Sequence, residues 1–470
     1  MPLSTNFKPS TRHADLGPEF HDLVRPADFP QRTLRFRNDR WAARVGLDKL
    51  TDDEWVNHFG SFEPLPGSLA QPMALRYHGH QFRSYNPDLG DGRGFLFAQL
   101  FDDRGRLLDL GTKGSGTTPW SRTADGRLTL KGGVRELLAT EMLESLGVET
   151  SKTFSIVETG EALWRGDEPS PTRSCVLTRL SHSHIRIGSF QRLLYLDQHD
   201  NIARLMDHTI RTYFPYAWVD DQGERTVAFL GEVGRRVADT GARWMAAGFV
   251  HGVLNTDNIN VTGESFDYGP WRFAPVLDPA FTAAYFDETG LYAFGRQPDT
   301  LLWNLTRLAE CLLPLATQQA LMPVLESFGE VFRARFAEAI RARLGLGDAG
   351  AEAGHELVGT VWRFLAETRM PFERFFFDCR GGNSSGERLT RSPAAEFYQR
   401  PEFVPVREAF ENHPVISGAD SAYFAGDEPC TLLIDEVEAL WAPIASDDDW
   451  GPLRQKIATI GEARAAYEKK

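Results

Sequence analysis

Cysteine is scarce. The 470 residues hold four (Cys175, Cys311, Cys379 and Cys430), widely scattered and without a Cys-x-x-Cys pair. That excludes a disulfide-stapled scaffold and a cysteine-based zinc site, and it leaves reduced thiols used mostly as core filler. Long apolar runs are missing too: no stretch reaches the roughly 18 residues a membrane span needs. The opening MPLSTNFKPSTRHADLGPEF has no apolar h-region and carries acids by Asp15 and Glu19, so no secretory signal is expected. The expected address is cytoplasmic, with a mitochondrial one left open for a eukaryotic source. Positive charge is in deficit, and a net charge of −14 argues against non-specific nucleic-acid binding. No internal repeat is visible, and only the short Gly/Ala/Glu-rich stretch 345–356 is of low complexity.

The composition that remains, 42% hydrophobic and 25% charged, is that of a globular chain able to bury a large core. At roughly 100–200 residues per domain, the length gives two to four domains or lobes. The chemistry concentrates in HGVLNTDNINVTGESFDYG, residues 251–269, where Asn255, Asp257, Asn258 and Asp267 crowd into a short span. Val233, Val237, Trp244 and Gly248 recur at helical spacing before it. Helix, polar loop, strand-like Ile259–Val261 and Asp-Tyr-Gly is the order in which kinases hold Mg²⁺ against nucleotide phosphates. In that order Asn258 and Asp267 are the candidate metal ligands, since Mg²⁺ takes few hard oxygen donors from protein. The usual base is absent, because Val253 follows His251-Gly252 where small-molecule kinases carry Asp. Asp257 is the nearest carboxylate able to accept a proton. A solvated loop with Asn and Asp as caps is the simpler alternative for these residues.

Upstream, the turn Gly90-Asp91-Gly92-Arg93-Gly94 opens an apolar run, Phe95–Phe101. Glycine lets a backbone approach phosphate closely, and Arg93 offers a fork of donors. Arg106–Gly111 reads as a second strand, leading to Lys113. Residues 132–147 form a helix in which Val134, Leu138, Met142 and Leu146 repeat every four residues and Gly147 caps the end. Lys113 on a strand followed by Glu136 on a helix is the order of the kinase Lys–Glu ion pair. Between them, Ser121 to Arg127, with Asp125 and Gly126, is another turn rich in phosphate-capable groups. Arg179 and Arg186 are an odd number of positions apart, so a straight strand would put them on opposite faces. His78 and His80 read as ordinary hydrogen-bonded histidines. Beyond residue 188 the pattern turns helical.

YHGHQF, PDLGDGR, GTKGSGTTPWSR, VRELLATEML, LTRLSHSHIRIGSF, HGVLNTDN with DYGP, and RQPDTLLWNLTRLAECL occur in this order between about residues 76 and 314. Together they resemble the selenoprotein O family. The resemblance implies a pseudokinase that binds ATP in a flipped orientation and acts as a protein adenylyltransferase, with Mg²⁺ or Mn²⁺. The expected fold is α+β, protein-kinase-like and two-lobed, with a β-rich N-lobe at 71–188 and a helical C-lobe at 189–345. Residues 1–70 and 346–470 are expected to be extensions.

By the same resemblance Asp257 is the proton acceptor, and Asn258 and Asp267 hold the metal. Gly90, Gly92, Arg93, Lys113, Asp125, Gly126, Arg179, Arg186 and Asp267 line the ATP, and Glu136 pairs with Lys113. The expected acceptors are protein hydroxyls, including self-modification, with uridylylation from UTP as a variant; the chain is expected to be a monomer without nucleic-acid or membrane partners. A protein or small-molecule kinase, or a non-catalytic nucleotide-binding scaffold, are the alternatives. The chain departs from the family at LKGGVREL, where a serine-rich version is usual. It also departs in having its last cysteine at Cys430, well short of a C-terminal redox position.

Overall fold

The computed structural model describes residues 3–166, 168–416 and 421–468. Its N-terminal half is built on a mostly antiparallel sheet. In chain order the elements are β1 (Pro9–Ser10), β2 (His21–Leu23), β3 (Thr33–Arg37), α1 (Asp39–Val45), α2 (Asp52–Phe59), β4 (Met73–Leu75), β5 (Gly79–Gln81) and β6 (Ser84–Asn86). There follow β7 (Leu96–Phe101), β8 (Leu107–Lys113), β9 (Leu128–Thr129), α3 (Leu130–Ser145), β10 (Lys152–Leu163) and β11 (Thr172–Ser181). The main sheet runs β2-β4-β7-β8-β11-β10-β3, with β1 on β7 and β9 on β11. Residues 9–37 therefore supply three strands of this sheet, a role their proline- and arginine-rich sequence did not announce.

Alternation along β11 sorts the core. Val176 and Leu180 pack with Trp41, Trp55 and Phe59 of α1 and α2 on one face, whereas Cys175 and Leu177 pack with α3 on the other. Thr129 caps α3 by accepting from the Gly132 amide, and Gly147, at φ +80°, turns the chain out of it. The turn Asp102–Gly105 closes β7 onto β8 with Asp102 Oδ1 accepting from the amides of Arg104 and Arg106.

The second half is helical: α4 (Ile187–Tyr195), α5 (His199–Tyr213), α6 (Gln222–Ala246), α7 (Gln297–Leu312) and α8 (Gln318–Leu344), with β12 (Phe249–Val250) and β13 (Arg272–Phe273) forming a small ribbon. Asp221 caps α6, its side chain accepting from the Glu224 amide. Shorter helices follow, and the last, Gly451–Glu468, returns to pack on α3. There Arg464 meets both the carboxylate and the backbone carbonyl of Glu141. All four cysteines are buried free thiols. Among the described residues no helix is long and apolar enough to cross a membrane.

Candidate active site

Strand register places the first two functional side chains. Lys113 pairs with Leu177, so both point toward α3; Arg179, two residues beyond Leu177, points the same way. On α3, Glu136 faces them and takes the Lys113 Nζ at 2.5 Å. Both are nearly inaccessible, at 5% and 2% exposure. A lone buried ammonium or carboxylate would be costly, so the pair is held by mutual need.

β11 ends at Ser181, and Ser183, at φ +91°, turns the chain back. Residues 185–187 then run antiparallel to 259–261, with Ile187 N donating to Ile259 O and Val261 N to Ile185 O, each at 3.0 Å. This bend defeats strand alternation and delivers Arg186 to the same carboxylate as Arg179. Asp267 Oδ1 receives Lys113 Nζ at 2.8 Å and Arg179 Nη1 at 2.7 Å, while Arg186 Nη1 lies 3.5 Å from Oδ2. The three cations hold the Asp267 carboxyl well below the usual carboxylate range against the opposing effect of burial, the largest single influence. Asp267 itself adopts φ +65°, a left-handed conformation uncommon outside glycine and stored here at the centre of the charge cluster.

The central loop is clamped from several sides. The neutral His251 ring hydrogen-bonds through Nε2 to Phe266 O at 2.9 Å, and its backbone amide donates to Gln297 Oε1. Thr256 Oγ1 and Asn255 Oδ1 accept from the amides of His80 and Phe82 at 2.7 and 3.1 Å, and Tyr292 Oη donates to the same Asn255 oxygen. Asn258 Nδ2 donates to Val253 O at 3.0 Å, which leaves Oδ1 as the free end of its amide. Asp257 is 8% exposed and its Oδ1 has no hydrogen-bond partner among the described residues. Burial, aided by nearby Asp267 and opposed by Arg186, raises its pKa to about 7.

Lys113, Arg179, Arg186, Asp257, Asn258 and Asp267 line one cleft of about 370 Å³, together with Gly90, Gly92, Arg93 and Arg122; Glu136 stands behind Lys113. A side chain at Gly90 would run into the Trp120 ring, so glycine is what lets this loop fold over tryptophan. The Trp120 indole in turn donates to Asp22 of β2 at 2.9 Å. Asp125 and Gly126 stand outside the cleft lining: Asp125 is paired with Arg165 at 2.8 Å, and Gly126 is packed on Gly116.

Four supporting residues were not singled out from sequence. His184 Nε2 accepts from Arg179 Nε at 3.1 Å, which puts the ring proton on Nδ1, facing Asp109 Oδ2 at 3.2 Å. Gly111 leaves room for that ring, since a Cβ there would meet it at 2.3 Å. Asp91 lies 3.6 Å from Arg186 Nη2, and the Arg186 guanidinium stacks 4.1 Å from the Tyr77 ring centroid. Within SHSHIRIG, only the clustering of histidines near two arginines marked this support. His78 and His80 are hydrogen-bonded to Tyr85 and Gln191.

Clustered cations, a buried carboxylate with an unpartnered oxygen and a glycine-edged entrance make this a cleft suited to phosphate groups. A family model described as protein adenylyltransferase SelO matches residues 3–460. A protein nucleotidyltransferase YdiU of Synechocystis sp. is 44% identical over 97% of this chain and 98% of its own. Namesakes in Gloeobacter violaceus and Vibrio cholerae are 42% and 37% identical, covering 99% and 78% of this chain and 96% and 73% of theirs. The chain belongs to the SelO family of protein adenylyltransferases.

Proposed function

We propose that the cleft binds ATP and transfers AMP to a Ser, Thr or Tyr hydroxyl of a protein, this chain included. The observation that carries this reading is Asp257: a buried carboxylate with an unpartnered oxygen and a pKa near 7 is suited to accept a proton at neutral pH. Lys113, Arg179 and Arg186, all nearly buried, suit the most highly charged part of the nucleotide, its β- and γ-phosphates. That arrangement directs the α-phosphate toward Asp257. The acceptor oxygen attacks the α-phosphorus, and its proton passes to the Asp257 carboxylate. The bond from that phosphorus to the α,β-bridging oxygen breaks, and pyrophosphate leaves with its charge met by the three cations. Val253, in the kinase base position, then has no proton to take.

A divalent cation fits the residues present. The free Asn258 Oδ1 and the Asp267 carboxylate are hard oxygen donors, and substrate phosphates complete such a set. Among the described residues no group of three or more His, Cys, Asp or Glu forms a metal site by itself. Bound there, Mg²⁺ or Mn²⁺ would offset phosphate charge and polarise the phosphoryl oxygen. The same reading treats 71–188 and 189–345 as kinase-like lobes, supported by the Lys113–Glu136 pair and the Asn258/Asp267 spacing. Arg93, exposed at the entrance, is assigned to the nucleotide, as are Gly90 and Gly92.

Intact mass after incubation with ATP and Mg²⁺ or Mn²⁺ tests the reaction. An AMP-sized gain, absent in Asp267→Ala, is expected. A phosphate-sized gain would convert the proposal into a kinase, and nucleotide binding without modification of chain or added protein acceptors would leave only a scaffold.

A further inference from the structure

The far end of α3 borders a second cavity, of about 240 Å³, which shares no residue with the nucleotide cleft. From Glu136 to Ser145, at the end of the helix, is roughly 14 Å along the axis. The cavity forms where α1, the β7–β8 turn, the α3–β10 connection, α6, α8 and the C-terminal helix meet. In a chain with net charge −14, its walls carry Arg40, Arg44, Arg104, Arg106 and Lys152 from the sheet half and Arg243 and Arg343 from the helices. Only three carboxylates, Glu144, Glu149 and Glu468, share those walls among the described residues.

Several of the arginines are anchored by acids outside the cavity: Arg44 by Asp103 at 2.9 Å, Arg243 by Asp239 at 2.8 Å and Arg343 by Glu373 at 2.7 Å. Arg40 meets Glu144. Lys152 is different. It is 5% exposed, no carboxylate lies within ion-pair distance among the described residues, and its ammonium donates only to the Thr150 carbonyl. An ammonium has three N–H donors; Glu144 in the cavity wall and Glu264 attract this one only from beyond ion-pair distance, so donors remain for a ligand. Lys152, Arg44 and Arg40 also converge on the Trp41 indole, at 5.1, 4.3 and 5.7 Å from its centroid. Arg104, on the exposed turn, likewise has no carboxylate within ion-pair distance among the described residues.

We propose that this cavity is an anion site for a small phosphate-bearing ligand, with Lys152 at its floor and Arg104 at its rim. The volume is below the roughly 300 Å³ at which pockets begin to enclose drug-sized molecules, and it suits a diphosphate group better than a whole nucleotide. The phosphate could arrive free or carried on a nucleotide, and the test separates the two.

Isothermal titration of the full chain with sodium pyrophosphate, without divalent cation, is run on the parent and on Lys152→Met, Arg104→Ser and Lys113→Met. The expected result is a binding step weakened about tenfold in Lys152→Met, the loss of one charged hydrogen bond, and less in Arg104→Ser. Lys113→Met, which alters the other cleft, leaves that step intact. Arg104 lies on an exposed turn, so its variant reports even if Lys152→Met folds poorly. Titration with ADP assigns the source: Lys152-dependent ADP binding supports the site with a nucleotide-borne phosphate, and its absence supports a free one. Pyrophosphate binding that is equal in the parent, Lys152→Met and Arg104→Ser, or that Lys113→Met alone removes, overturns the proposal.

Discussion

Asp257→Asn is expected to slow AMP transfer roughly 10²–10⁴-fold, the usual loss when a general base is removed, while nucleotide affinity stays nearly unchanged. In the parent, kcat/KM should rise with pH through about 7 and level off above it, because only the ionised carboxylate accepts the proton. The variant should lose that rise. A second readout follows from linkage. A folded-state pKa raised above the ordinary 3.8 means that the native state favours protonated Asp257. That contribution is fully present below the ordinary value and is lost as pH climbs through about 7. Keeping the ionised form buried then costs the parent at most roughly 4 kcal/mol, which asparagine escapes. The melting temperature of Asp257→Asn should therefore exceed that of the parent at about pH 8 and approach it near pH 4. Retained transfer in the variant would place the base elsewhere, and a pH-independent Tm difference would remove the raised pKa.

Asp267→Asn attacks the opposite charge. Without the carboxylate, Lys113 keeps Glu136, Arg186 keeps Asp91 at 3.6 Å, and Arg179 keeps its His184 hydrogen bond and, as its one remaining carboxylate among the described residues, Glu136 at 3.8 Å. Breaking a buried pair by removing one partner costs about 3–5 kcal/mol, so a marked fall in Tm is expected. Pyrophosphate or sulfate should restore part of it by supplying negative charge to the stranded cations. Transfer should be lost even with Mg²⁺ or Mn²⁺ in excess. The folded-state pKa of Asp267 is depressed, so its stabilisation is present above the ordinary carboxylate pKa and vanishes on acidification. The Tm gap between parent and variant should accordingly close below about pH 4. An unchanged Tm at neutral pH would mean that the cations are satisfied without Asp267.

Residues joined by short-range rules were legible in the chain itself. Lys113 at a strand end and Glu136 in the second turn of a periodic helix meet because strand register and helix phase leave them one arrangement. Asn258 and Asp267 were legible from spacing within one loop. The Arg179–Arg186 pair was not, because period-two alternation holds only while the strand is straight, and the turn at Ser183 breaks it. Asp109, His184, Tyr77 and Asp91 were illegible for a related reason: each acts on a residue that a tertiary crossing brings to it. Asp125, in a turn of phosphate-capable type, is paired with Arg165 outside the cleft lining, a partner forty residues away that local sequence does not announce. The strands at 9–37 carry too few apolar residues to advertise themselves, and they exist because β4, β7 and β10 offer them edges.

The bond between Glu141 and Arg464 spans 323 positions of chain. Ribosomes add about 5–20 residues per second, so roughly 16–65 s separate the appearance of these two residues. Throughout that interval the helix bearing Glu136 exists without its final clamp. Until the C-terminal helix docks, α3 lacks the Arg464 contact to its Glu141.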